Sequence, residues 1–200
     1  MKPEMITLKH GDTTIKMPAS SLAKLAVASV FAQVLPPAAN VQPIVPADIP
    51  AVGQPWQGQG GINGGLVAAR GDVPEHYLII ATEDAGSLEW GRRGETSGAT
   101  SKTDGLANSA ILLEEGSHPA ASAASKYIAD NHNDFYLPAA AELYQGWLNC
   151  PEVFAQDCWY WSSSQRSADT AFHMNFAVGY QLNDAKYNEL RVRPVRRLFI

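Results

Sequence analysis

Six of the thirteen prolines fall in one short run, "PPAANVQPIVPADIPAVGQP", at residues 36–55. Proline fixes φ and has no amide donor, so such a run is neither helix interior nor central strand. It reads as a stiff, extended linker. The chain is thereby divided into an N-terminal element (1–35), a linker (36–55) and a globular domain (56–200).

In the first element "MITLKHGDTTIKMP" has the alternation of a hairpin, with Ile6 and Leu8 before a Gly-Asp turn and Thr14 and Lys16 after it. "PASSLAKLAVASVFAQVL" follows, opening with the proline and serine that suit a helix start. Leu22, Leu25, Ser29 and Ala32 share one side, flanked by Ala26, Val30 and Gln33. So short a helix needs a packing partner. Residues 1–55 are therefore expected to attach the chain to other proteins or to copies of itself, with a trimer favoured; the alternative is packing on its own domain. The apolar part is broken by Lys24 and Gln33 and is shorter than the ~18 to 20 residues of a membrane span. Its polar lead, with Glu4 and Asp12, is unlike a secretory signal. A net charge of −5 argues against nucleic acid as partner.

The globular part opens on a glycine-rich stretch, "WQGQGGINGGLVAARG", without the Gly-Lys-Ser/Thr ending of a phosphate loop. "EHYLIIATED" reads as a buried strand with Tyr77 to Ala81 as its body. "EWGRRGETSGATSKTDGLANSAIL" reads as a long polar loop. Helices are expected in "HPAASAASKYIADN" and "LPAAAELYQGWLN", each with proline near its start. Strands follow in "CWYWSSSQ", "TAFHMNFAVG" and "ELRVRPVRRLF". Helices first and paired strands afterwards predict an α+β domain with an antiparallel sheet.

Three chemistries compete for these residues. Ser162, Ser163 and Ser164 with His173 and Asp169 or Asp184 would be a serine hydrolase, but the nucleophile elbow is missing. No enzyme is expected. Asp130 and Asp134 in "DNHNDF", and the loop "LNDAKYNE", offer hard oxygen ligands of the calcium kind, without the glycine and distal glutamate of an EF-hand loop. No cofactor is expected, calcium being the one ion considered. Cys150 and Cys158 are spaced for a small disulfide loop or stand as two thiols. The arginines of "ELRVRPVRRL" are expected to pair with carboxylates such as Glu89 or Glu142. In "CWYWSSSQ", Trp159 and Trp161 share one strand face, Tyr160 and Ser162 the other. One pair is expected in the core. The other would join Tyr, Asn, Ser and His side chains in a surface composed like a binding paratope.

"WQGQGGINGGL", "YLIIATEDAGSLEWG", "TSKTDGLANS", "HNDFYLPAAAEL", "WYWSSSQ" and "LRVRPVRR" occur in an order that resembles phage and prophage domains of the Lcl C-terminal type. The resemblance spans residues 56–200 and implies a C-type-lectin-like fold, related to formylglycine-generating enzymes and to phage variable receptor-binding proteins. It implies two helices flanking a twisted sheet, with the domain's ends close together. It further implies display on a virion, at the tail or outer surface, after synthesis in the host cytoplasm. The partner would be a host surface glycan or protein. The ligand face would comprise Arg166, Asp169, His173, Asn175, Tyr180, Gln181, Lys186 and Tyr187. The Glu-Pro-Asn calcium loop of sugar-binding lectins is absent, and the cysteine pair of the related enzymes has no counterpart. The expected function is that of a tail-fibre tip or similar receptor-binding component. The alternative is a structural virion component, such as a capsid decoration or tail-assembly protein.

Overall fold

The computed structural model describes residues 5–10, 13–19 and 49–199. The chain forms two units, Met1–Pro43 and Ile44–Ile200. In the first, β1 (Met5–His10) and β2 (Thr13–Pro18) pair antiparallel, with Met5 opposite Pro18 and His10 opposite Thr13. This is the hairpin that the alternation predicts. Of the helix expected in 18–35, Pro18 closes β2 instead, and residues 20–35 together with linker residues 36–48 lie outside the described residues.

The second unit contains two sheets and three helices. Strands β3 (Pro55–Trp56), β4 (Gly61–Val67), β5 (His76–Ala81) and β11 (Val195–Phe199) make a sheet of order β11-β5-β4-β3. Its first and last strands thus belong to one sheet. The other sheet, of order β6-β10-β7-β8-β9, comprises β6 (Ser87–Glu89), β7 (Trp159–Gln165), β8 (Thr170–Asn175), β9 (Gln181–Ala185) and β10 (Glu189–Arg191). Every pairing is antiparallel except a single parallel register between β10 and β7, Arg191 with Tyr160. The architecture is α+β.

The helices are α1 (Gly105–Glu115), α2 (Pro119–Ser125) and α3 (Ala140–Asn149). The last two stand where proline at a helix start predicts them, although α2 is only seven residues long. α1 corrects the expectation of a long loop over 89–112. Asp104 caps it, its carboxylate accepting from the Ala107 amide at 3.0 Å, and Gly116 ends it with φ 71°. Its buried side is largely polar, with Asn108 and Ser109 beside Leu112, so no apolar stripe marks it. Asn108 donates to the Ser101 carbonyl at 2.6 Å and Ser109 to that of Leu137 at 3.2 Å.

Two apolar cores result. One joins Leu78 and Ile80 of β5 to Tyr160, Met174 and Phe176, with Leu143 of α3. The other gathers Trp90, Trp161, Leu112, Val192 and the alanines of α2. The linker is shorter than the prolines alone predict. Gly53 and Asn63 are clasped, amide to carbonyl at 2.8 Å, and the Asn63 side chain donates to Pro50 at 2.7 Å, so residues from Pro50 on belong to the head.

The terminal arginines do pair with carboxylates. Arg197 reaches Glu142 at 3.0 Å and Asp104 at 2.9 Å, Arg196 reaches Asp134, and Arg191 and Arg193 converge on Asp84. Glu89 is not among their partners; it sits opposite Glu189 between β6 and β10. Among the described residues, no helix is long and apolar enough to cross a membrane.

Candidate binding surface

Strand β7 is buried on both faces from Tyr160 to Gln165, which corrects the expectation of one core face and one free face. Tyr160 enters the first core and Trp161 the second. The serines are occupied by structure. Ser162 donates to the Phe172 carbonyl at 2.8 Å, and Ser163 accepts from Asn108 at 3.3 Å. Ser164 donates to the Ser101 carbonyl at 2.7 Å while accepting from the Ala140 amide at 3.1 Å. Among the described residues no serine hydroxyl hydrogen-bonds His173.

His173 itself is buried and lies opposite Trp161 in register. Its ring meets Trp159 edge-on at 4.4 Å and Trp161 at 6.0 Å. Burial lowers its pKa below the usual 6.5, so the ring is neutral at pH 7. It is a packing residue under Trp159, not a surface contact.

Lys186 is likewise no part of an exposed face. It is fully buried, its Nζ donating to the Glu95 carbonyl at 2.8 Å and Gln165 Oε1 at 2.7 Å, 4.6 Å from the Trp90 ring centre. Its side chain turns inward because these acceptors and the ring replace the water it loses.

The other expected contacts divide between the two ends of β8, about 20 Å apart at strand rise. At one end Arg166, Asp169 and Tyr187 are exposed. Arg93 bridges there, 3.3 Å from Asp169 and 4.8 Å over the Tyr187 ring. At the other end, Asn175 accepts from the Ala177 and Val178 amides at 3.0 and 3.3 Å and donates to the Cys158 carbonyl at 3.2 Å. It builds the turn. Gln181 is tied to the Ala140 carbonyl of α3.

What this turn leaves in solvent is apolar: Val178 is 54% exposed, Tyr180 62% and Leu182 52%. Gly179 adopts φ 72°, and a Cβ there would come within 2.5 Å of the Trp147 ring, so the turn is seated on α3. Strand β9, which carries Leu182, is the sheet's edge. Val178 and Leu182 were not foreseen as contacts. The strand expected in "TAFHMNFAVG" includes Val178, but it ends at Asn175 and Val178 falls in the turn.

The acidic loops serve as clasps. Asp130 accepts from the Gly60 amide at 3.0 Å, His132 lies 3.0 Å from the Gly58 carbonyl, and Asp134 holds Arg196 at 2.7 Å. Among the described residues no group of three or more His, Cys, Asp or Glu is arranged to hold a metal ion. Cys150 and Cys158 are free thiols, and burial pushes Cys150 up to about 11. Tyr160, beside Cys158, is raised by burial to about 12, and its hydroxyl donates to Asp84 at 3.2 Å. No family model matches the chain, and no curated protein matches it.

Proposed function

We propose that the chain is a phage virion protein whose lectin-like head binds a host surface molecule, as a tail-fibre tip or similar receptor-binding component. The observation that carries this reading is the exposed apolar group Val178, Tyr180 and Leu182, held on a turn and edge strand that are rigidly seated on α3. Aromatic and aliphatic side chains left in water on a fixed support favour recognition, because little side-chain freedom is lost on contact. The Arg93–Asp169–Tyr187 cluster supplies a second, polar contact region at the far end of β8. The first and last strands of the head lie in one sheet, at its two edges, and helices pack against both sheets, which is compatible with a C-type-lectin-like head. Binding is the whole mechanism, without a chemical step. The chain preceding Pro50 attaches and oligomerises the protein, and repeated heads raise a weak single-site affinity through avidity.

A second reading rests on the same edge. Among the described residues strand β9 has one unpaired side, and an exposed edge next to apolar side chains also suits permanent packing against a neighbouring subunit in a virion. Locating the chain in assembled particles by electron microscopy with a site-specific label at residue 180 separates the two. A distal, accessible label supports receptor binding, and a label masked within the particle supports the structural role.

A further inference from the structure

A cleft of about 250 Å³ lies between α3, the end of β4 and the start of β5. It is lined by Val67, Leu148 and Tyr144, with Thr103, Gln145 and Arg70 among them. Several amide side chains of the head, among them Asn63, Asn108, Asn149, Asn175, Gln165 and Gln181, bind backbone. Among the described residues, the Thr103 hydroxyl, the Gln145 amide and the Arg70 guanidinium make no hydrogen bond or ion pair within the protein. Three side chains with unspent donors and acceptors thus ring an apolar hollow.

The walls restrict what the hollow can take. Tyr144 is 42% exposed and is backed by Trp147, stacked at 5.5 Å and 29°, so its ring is a supported flat surface. Leu148 (56% exposed) and Val67 extend the apolar side. Glu142, the one carboxylate in the lining, is buried and engaged with Tyr136, Arg197 and two amides. No free acid therefore waits for a cation. The volume admits a single ring with its substituents. An amide, a hydroxyl and a guanidinium match a ligand that both donates and accepts at several adjacent positions. The tyrosine and leucine match a ligand with one apolar face.

We infer that this cleft is a binding site for one uncharged sugar residue, a hydroxylated six-membered ring stacked on Tyr144 and hydrogen-bonded by Gln145, Thr103 and Arg70. The site is separate from the Val178–Tyr180–Leu182 contact surface and stands whether or not that surface binds a host. It is connected to it physically, since Trp147 touches both Tyr144 and the Gly179 turn. A glycan chain entering the cleft would run toward Tyr180 along that aromatic strip.

The test uses the full-length protein, ¹⁵N-labelled, titrated by NMR with the methyl glycosides of glucose, galactose and N-acetylglucosamine. At least one of the three is expected to shift the Gln145 side-chain amide and the Thr103 amide, with a dissociation constant in the millimolar range. Tyr144→Ala and Gln145→Ala are each expected to weaken that binding about tenfold, the loss of one stacking or hydrogen-bonding contact. Tyr144→Phe, which keeps the ring, should bind as the native protein does and guards against a folding artefact. Three results would overturn the proposal: no shift at these groups with any of the three glycosides, binding that survives Tyr144→Ala, or a preference for methyl glucuronide over every neutral probe. Tyr180→Ala should leave monosaccharide binding unchanged, so failure of the host-contact surface and failure of this site read out separately.

Discussion

At Glu142 one carboxylate, buried in α3, holds four groups. It accepts from the Gly105 amide at 3.1 Å, the Ala139 amide at 2.7 Å, the Tyr136 hydroxyl at 2.8 Å and Arg197 at 3.0 Å. Burial and the neighbouring carboxylate push the Tyr136 hydroxyl well above its usual range, so it remains a donor at any physiological pH. Removing the carboxylate leaves the buried Arg197 with Asp104 alone and strips the Tyr136 hydroxyl and two amides of their acceptor. Glu142→Ala is expected to cost about 3–5 kcal/mol in denaturant unfolding. Lys186 is the second such residue. Lys186→Met keeps the stem but abandons Gln165 Oε1 and the Glu95 carbonyl, and a loss of about 1–3 kcal/mol is expected. The buried histidines set the response to pH. Burial holds His76, His118 and His173 below 6.5, so the unfolded chain takes up their protons more readily than the native one. Stability is therefore full above pH 6.5 and falls as pH drops through that value toward the lower native pKa values. Thermal midpoints should decline from pH 7.5 to pH 5.5, and His173→Phe should reduce the decline.

Among the elements, the β8–β9 turn is the one whose shape matters most to binding. Gly179→Ala would force a Cβ into the Trp147 ring at a residue with φ 72°, so the turn must shift. The variant is expected to lose about 1–3 kcal/mol and to change the near-ultraviolet circular dichroism of Trp147. How far such elements can be read in advance depends on what the periodicity encodes. β5 and β8 announce themselves by apolar residues, and α2 and α3 by proline at their starts. α1 does not, because its inward side is Asn108 and Ser109, which bind loop carbonyls rather than pack. Its Asp104 cap and Gly116 stop are present in the sequence, but they punctuate a stretch without an apolar stripe. The site followed the same logic. Tyr180 and Tyr187, which the resemblance puts on the ligand face, are exposed, whereas Lys186 and His173 are polar residues whose partners lie far off in sequence: Glu95, Gln165 and Trp90 for the lysine, Trp159 and Trp161 for the histidine. Alternation places a side chain on a face but does not say whether another element covers that face.

For the whole molecule, the division between Pro43 and Ile44 separates a first unit that contains the β1–β2 hairpin from a head with its own two cores. Under the proposed self-association through the first unit, the full-length protein should sediment as an oligomer and removal of residues 1–43 should leave a folded, monomeric head; an oligomer that persists would place self-association in the head instead. The exposed turn and edge strand are the proposed host contact. Adsorption of the labelled full-length protein to host cells, compared with a Tyr180→Ala, Leu182→Ser double variant of the same thermal stability, measures this directly. Adsorption by the variant should be at least tenfold weaker, about 1.4 kcal/mol or more. Equal adsorption by the two proteins would contradict that assignment.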